Sequence, residues 1–94
     1  MKLKRKIEVI NKLGLHARAC AILVKTVTKF NSRVELQAGG PSCDQSCDGK
    51  SIMGLMMLAA TQGTHISVTT EGDDADAAMD QIVALFANRF GEDE

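Results

Sequence analysis

The hydrophobic pattern of this 94-residue chain changes its period several times, and this restricts the fold more than any other feature. Three segments alternate between apolar and polar side chains, which predicts strands with one buried face. They are residues 2–10, 33–38 and 65–71. Two longer segments place apolar residues three and four positions apart, which predicts amphipathic helices over 17–30 and 75–90. A short strand over 43–47 and a short apolar helix over 51–60 complete the order βαββαβα.

This order predicts an α+β fold in one domain spanning residues 1–94. We expect an open-faced β-sandwich, in which a four-stranded antiparallel sheet carries three helices on one face.

Asp74 is a candidate N-cap for the last helix. The acidic residues 92–94 are expected to form a frayed end without functional meaning. The buried stripe expected for the first helix consists of Ala17, Cys20, Ala21, Val24, Val27 and Thr28, widened by Leu23 and Phe30.

Composition excludes several classes of function. The net charge of −1 lacks the basic excess of a nucleic-acid-binding protein, and three Phe without Trp or Tyr offer no stacking platform. No apolar run approaches the ~20 residues that a membrane-spanning helix needs. The first residues also lack the apolar core of a signal peptide, so we expect a cytoplasmic protein.

The three cysteines are Cys20, Cys43 and Cys47. Their odd number argues against a disulfide framework, and an extended segment would hold Cys43 and Cys47 too far apart to pair. Two cysteines at this spacing are also a weak metal signal, because a zinc site needs about four ligands. We expect reduced thiols that behave as small apolar side chains, with a zinc site as a distant alternative.

The candidate functional site lies in residues 11–18, where a glycine-containing loop brings His16 to the start of a helix. A helix start carries unsatisfied N–H groups and partial positive charge, so it favours phosphate. A neutral imidazole is a nucleophile near pH 7, and Arg18 adds a planar positive group suited to phosphate oxygens. These residue types together predict a nucleophile, an anion site and a counter-charge.

Two separate motifs resemble those of the HPr family, the histidine phosphocarriers of the bacterial phosphoenolpyruvate:sugar phosphotransferase system. Residues 14–18, Gly-Leu-His-Ala-Arg, resemble the phosphorylation motif of that family. Residues 50–56, Lys-Ser-Ile-Met-Gly-Leu-Met, resemble its regulatory serine motif. The element order agrees over nearly the whole chain.

This resemblance implies the strand order 1-4-2-3 and a monomeric carrier without a cofactor or a turnover reaction of its own. Enzyme I, charged by phosphoenolpyruvate, would phosphorylate His16 at Nδ1 with help from Arg18. His16 would then pass the phosphoryl group to an enzyme IIA domain. Phosphorylation of Ser51, by an HPr kinase/phosphorylase where one is present, would regulate the transfer.

The apolar helix over 51–60 has two interpretations. Methionines at helical spacing are usually core, but the resemblance assigns Ile52, Met53 and Met56 to a partner-docking patch and leaves Leu55 in the core. Lys25 would extend the basic rim of that docking face. Ser51 is also a good N-cap, which explains its presence without regulation.

Two features depart from the family pattern. Ala19-Cys20 stands where the family usually has Pro-Ala. We expect the helix to form without the proline, because alanine is a good helix former. The loss of proline leaves the loop less rigid, so the orientation of the His16 side chain is less firmly fixed. The ending over 84–90 is similar to NPr, the nitrogen-branch paralogue. The alternative function is therefore a regulatory binding module of the same fold that acts through Ser51 and the patch.

Overall fold

The computed structural model describes residues 1–38, 46–58 and 60–92. Its order confirms the predicted βαββαβα arrangement. The elements are β1 (Lys2–Glu8), α1 (Ala17–Val27), β2 (Arg33–Ala38), β3 (Ser46–Asp48), α2 (Ile52–Leu58), β4 (His65–Glu71) and α3 (Ala75–Ala87), followed by a 3-10 turn (Arg89–Gly91). Cys43 and the predicted turn over 39–42 lie outside the described residues.

The four strands form one antiparallel sheet in the order β1-β4-β2-β3, as the resemblance implies. The inner strand β4 pairs Ile66 with Ile7 of β1 and Val68 with Leu36 of β2. Alternate side chains of β2 and β4 are buried, because the three helices cover one face of the sheet. The core is aliphatic, with Phe86 and Phe90 as its aromatic members.

The first helix is shorter than predicted and is rotated relative to the expected stripe. It ends at Val27 rather than residue 30, and its buried side chains are Ala19, Cys20, Leu23 and Val27. Ala17, Ala21 and Thr28, which were expected in the stripe, are exposed. Alanines lie on both the buried and the exposed face of this helix, so the sequence pattern did not show which face is buried.

A distant lysine contacts the chain just beyond α1. The ammonium group of Lys50 donates to the carbonyl oxygen of Phe30 at 2.9 Å. The bond gives a partner to a carbonyl group of the turn that follows the helix. This contact also ties the end of α1 to the segment just before α2.

Asp74 precedes α3 as predicted, but its side chain does not cap that helix. Its carboxylate instead accepts hydrogen bonds from the backbone N–H groups of Asn31 (2.8 Å) and Ser32 (2.9 Å). It also accepts one from the hydroxyl of Ser32. These three bonds lower the pKa of Asp74, that of the Ser32 hydroxyl contributing most. The carboxylate therefore fastens the turn between α1 and β2 to the turn before α3.

We expect Asp74→Asn to destabilise the protein at neutral pH, since an amide oxygen cannot replace both carboxylate oxygens as acceptors. Because the folded-state pKa lies below the unfolded value of about 3.9, the stabilisation is present above that value and is lost as the pH falls through the folded-state pKa. Urea denaturation at pH 7 and at progressively lower pH measures this difference. The control is Asp73→Asn at an exposed neighbour. Equal effects of the two substitutions would contradict the assignment.

Candidate functional site

His16 lies at the start of α1, as the sequence predicted, and is the N-cap residue of that helix. Its backbone is extended, and its ring atom Nδ1 accepts a hydrogen bond from the backbone N–H of Arg18 at 3.2 Å. An N-cap side chain that accepts from the second residue of the helix satisfies one N–H group that the helix itself leaves unpaired. The ring therefore sits directly at the positive end of the helix, and 26% of its side chain is exposed.

The hydrogen bonds assign the tautomer of the neutral ring. A backbone N–H can only donate, so Nδ1 of His16 carries the lone pair and Nε2 carries the proton. Nε2 contacts a carboxylate oxygen of Glu92, which accepts that proton's hydrogen bond. The nitrogen available as a nucleophile is thus Nδ1, on the side of the helix N-terminus.

The loop before His16 is fixed by a close backbone approach at Gly14. Gly14 has φ +65°, and a Cβ built on it would lie 2.3 Å from the carbonyl oxygen of Ala60. The next residue, Leu15, is buried and donates its N–H to the same oxygen at 2.9 Å. Only glycine combines a left-handed backbone with space for this contact. The position of His16 therefore depends on Gly14.

Glu92 and Asn11 belong to the site, although the sequence did not indicate it. The expectation that residue 92 lies in a frayed end is wrong, because its side chain contacts His16 and is only 12% exposed. The buried amide of Asn11 donates through Nδ2 to Glu92 Oε1 at 3.0 Å and to the carbonyl of Gly14 at 2.8 Å. The sequence offers one signal of this contact: Phe90 is an apolar residue of the buried stripe, so the chain two positions before Glu92 is held against the core.

The environment of Glu92 favours its charged form. The hydrogen bond from Asn11 lowers the pKa of Glu92 most, followed by that from His16, and the positive charge of Arg18 acts in the same direction. Arg18 itself is exposed, and its guanidinium extends from the first turn of α1. The site therefore combines an imidazole, a carboxylate and an exposed cation.

The change to Ala19-Cys20 has not disturbed the start of α1. The helix begins at Ala17, and Ala19 and Cys20 are both fully buried. The thiol of Cys20 donates to the carbonyl oxygen of Leu15 at 3.4 Å, and burial raises its pKa. The prediction that this helix survives without proline is confirmed.

Ser51 and the predicted patch lie together at α2. The hydroxyl of Ser51 accepts from the backbone N–H of Gly54 at 3.1 Å, so the residue caps the helix. Met53 is 72% exposed, Ile52 and Met56 are also exposed, and Leu55 is buried in the core as expected. Met57 is exposed as well, so this apolar helix turns four such side chains outward and offers a surface suited to a protein partner.

The other predicted residue, Lys25, is exposed in the last turn of α1, the helix that packs against α2. Within residues 1–38, 46–58 and 60–92, no group of three or more His, Cys, Asp or Glu side chains is arranged to hold a metal ion. The helices in this part of the chain are all too short or too polar to cross a membrane.

Comparison with known proteins agrees with this fold. A family model for the phosphorylation site of the HPr component of the phosphotransferase system matches residues 3–88. Phosphocarrier protein HPr of Xylella fastidiosa is 50% identical over 91 residues, which are 97% of this chain and 98% of that protein. Phosphocarrier protein NPr of Shewanella violacea is 37% identical over 91 residues, 97% and 96% of the two chains.

Solved structures give the same assignment. The crystal structure of HPr-C-His from Thermoanaerobacter tengcongensis matches with a TM-score of 0.89 and 37% identity, over 98% of this chain and 99% of that one. The fold is therefore that of the HPr phosphocarriers. The chain belongs to the HPr family of the phosphotransferase system.

We expect Gly14→Ala to destabilise the protein and to displace His16. The matched control is Gly63→Ala, because Gly63 also has a positive φ (+91°) but its added Cβ would meet nothing within 4 Å. The control should lose about 1–2 kcal/mol for the left-handed backbone, and Gly14→Ala should lose more because of the contact with Ala60. Urea denaturation measures the difference, and amide NMR shifts of residues 14–18 report the displacement. Equal losses would contradict the argument.

Proposed function

We propose that this protein accepts a phosphoryl group from phosphorylated enzyme I at Nδ1 of His16 and passes it to an enzyme IIA domain. The observation that carries the proposal is the hydrogen bond from the Arg18 N–H to Nδ1, which makes this atom the ring's lone-pair nitrogen at a helix N-terminus. We further propose that the transfer takes place in the cytoplasm, where phosphoenolpyruvate is formed and used.

The proposed transfer is an in-line displacement at phosphorus. The lone pair of His16 Nδ1 forms the new N–P bond, and the bond to enzyme I breaks with its electron pair returning to enzyme I. The proton on Nε2 stays in place, so the ring gains positive charge as the bond forms. Transfer to enzyme IIA is the same step in reverse, with a group on enzyme IIA as the nucleophile.

Positioning and charge neutralisation supply most of the catalysis in phosphoryl transfer. The N–H of Arg18, released from Nδ1 when the N–P bond forms, can donate to a phosphoryl oxygen. The side chain of Arg18 is exposed, and its guanidinium could turn toward the same oxygens. These groups support the assignment of Arg18 as the residue that stabilises the transferred charge.

We expect His16→Ala to abolish labelling by enzyme I and phosphoenolpyruvate, because the substitution removes the nucleophile. Intact-mass measurement should show an acid-labile gain of one phosphate on the wild type only. The matched control is His65→Ala, which removes the other histidine, an exposed residue on β4. Labelling of His16→Ala would exclude His16 as the acceptor. An unlabelled wild type, beside a second carrier that is labelled, would favour the regulatory binding module instead.

We also propose that α2 carries the docking patch of Ile52, Met53 and Met56, with Lys25 at its rim, and that phosphorylation of Ser51 regulates docking. The exposure of the patch and the position of Ser51 at the same helix support this. A phosphate adds about −1.5 to −2 charge at pH 7 beside apolar side chains that docking must desolvate.

We expect Ser51→Asp to slow transfer from enzyme I about tenfold, because the negative charge adjoins the patch. Aspartate caps helices as well as serine does, so the free energy of unfolding should change by less than about 0.5 kcal/mol. The control is Ser51→Asn, which keeps a cap without the charge. Initial labelling rates and urea denaturation measure both effects. A Ser51→Asp variant as fast as Ser51→Asn would show that charge at this position does not regulate transfer.

A further inference from the structure

The segment that follows α3 reaches the site through an unusual turn. After α3 ends at Ala87, Arg89 (φ 53°) and Phe90 (φ 54°) adopt left-handed backbone conformations, and Gly91 follows at φ 80°. Each non-glycine residue in this region costs about 1–2 kcal/mol. A backbone conformation of this cost is kept only where surrounding contacts stabilise it.

Contacts on both sides determine this turn. The ring of Phe90 is buried and packs edge-to-face on Phe86, with 4.9 Å between the ring centroids. The N–H of Glu92 donates to the carbonyl of Arg89 at 2.9 Å, which closes the turn. The side chain of Glu92 is thereby directed toward the loop that carries His16.

Both oxygens of the Glu92 carboxylate are used at the site. Oε1 accepts from Asn11 Nδ2 at 3.0 Å, and Oε2 accepts from His16 Nε2. The amide of Asn11 has only one suitable orientation, since reversing it would set its oxygen against the oxygens of both Glu92 and Gly14. Asn11 therefore holds the carboxylate, and the carboxylate holds the imidazole.

We propose that Glu92 is a positioning residue for phosphoryl transfer at His16. It keeps the Nε2 proton engaged, so that the ring is held with Nδ1 toward the helix N-terminus. Its negative charge also lies beside the ring nitrogen that becomes more positive as Nδ1 binds phosphorus. The inference rests on the proposed function, and it adds a residue that neither family motif contains.

Glu92→Gln tests this role with the smallest change of shape. Glutamine has one carbonyl oxygen, and two donors, Asn11 Nδ2 and His16 Nε2–H, would compete for it. The variant also lacks the charge that stabilises the phosphorylated ring. We expect the rate constant for transfer at saturating enzyme I to fall about tenfold, with the KM for enzyme I unchanged because the α2 patch is intact.

The chain offers a matched control in its second histidine–glutamate pair. Glu8 lies 3.8 Å from Nε2 of His65, and both side chains are more than half exposed. Glu8→Gln makes the same chemical change beside a histidine outside the site, so it should leave transfer unchanged. Equal losses in Glu8→Gln and Glu92→Gln would overturn the proposal.

A second readout needs no enzyme I. At a pH where the imidazole is neutral, the Nε2 proton of His16 should give a protected NMR resonance in the wild type, weakened in Glu92→Gln and absent in Glu92→Ala. A role in packing alone would lower the melting temperature without the loss of transfer rate. A normal rate in folded Glu92→Gln would overturn the proposal.

The two proposals fail in different ways. Absence of labelling on the wild type would remove phosphoryl transfer at His16, and the role of Glu92 in it would fall as well. Labelling of the wild type with no difference between Glu92→Gln and Glu8→Gln would leave the carrier function in place and remove only the role of Glu92.

Discussion

The loop over residues 9–16 is fixed by backbone hydrogen bonds to residues 60–64, and the site depends on this pairing. The N–H of Val9 donates to Thr64 at 2.8 Å, and that of Leu15 donates to Ala60 at 2.9 Å. These bonds connect the end of β1 to the segment that leads into β4, which are neighbouring strands. The loop that carries His16 is therefore anchored by backbone pairing that continues from the β1–β4 edge of the sheet.

The parts of the fold that the sequence predicted are those that a local pattern encodes. The bounds of β4 follow from the alternation of Ile66 and Val68 between turn residues, and β2 follows in the same way. The cap of α1 was predictable because a polar residue stands between a glycine loop and a helical pattern. The HPr resemblance then supplied the strand order, which no local pattern determines.

The features that the sequence did not predict depend on residues far apart in the chain. Asp74 has the residue type of an N-cap, yet three donors more than forty positions away compete successfully for its carboxylate. Glu92 is 76 positions from His16, and its acidic neighbours made it look like a solvated end. Polar contacts between distant residues leave no repeating pattern in the sequence, so only the folded structure reveals them.

The burial of Cys20 in the first turn of α1 has a consequence for redox chemistry. Thiolates are the reactive form of cysteine, and the raised pKa of this thiol keeps it protonated beneath the loop that carries His16. Oxidants and alkylating reagents can reach it only when this part of the structure opens. Cys20 is thus protected from oxidation by the same packing that aims the imidazole, and its reactivity reports how often that packing comes apart.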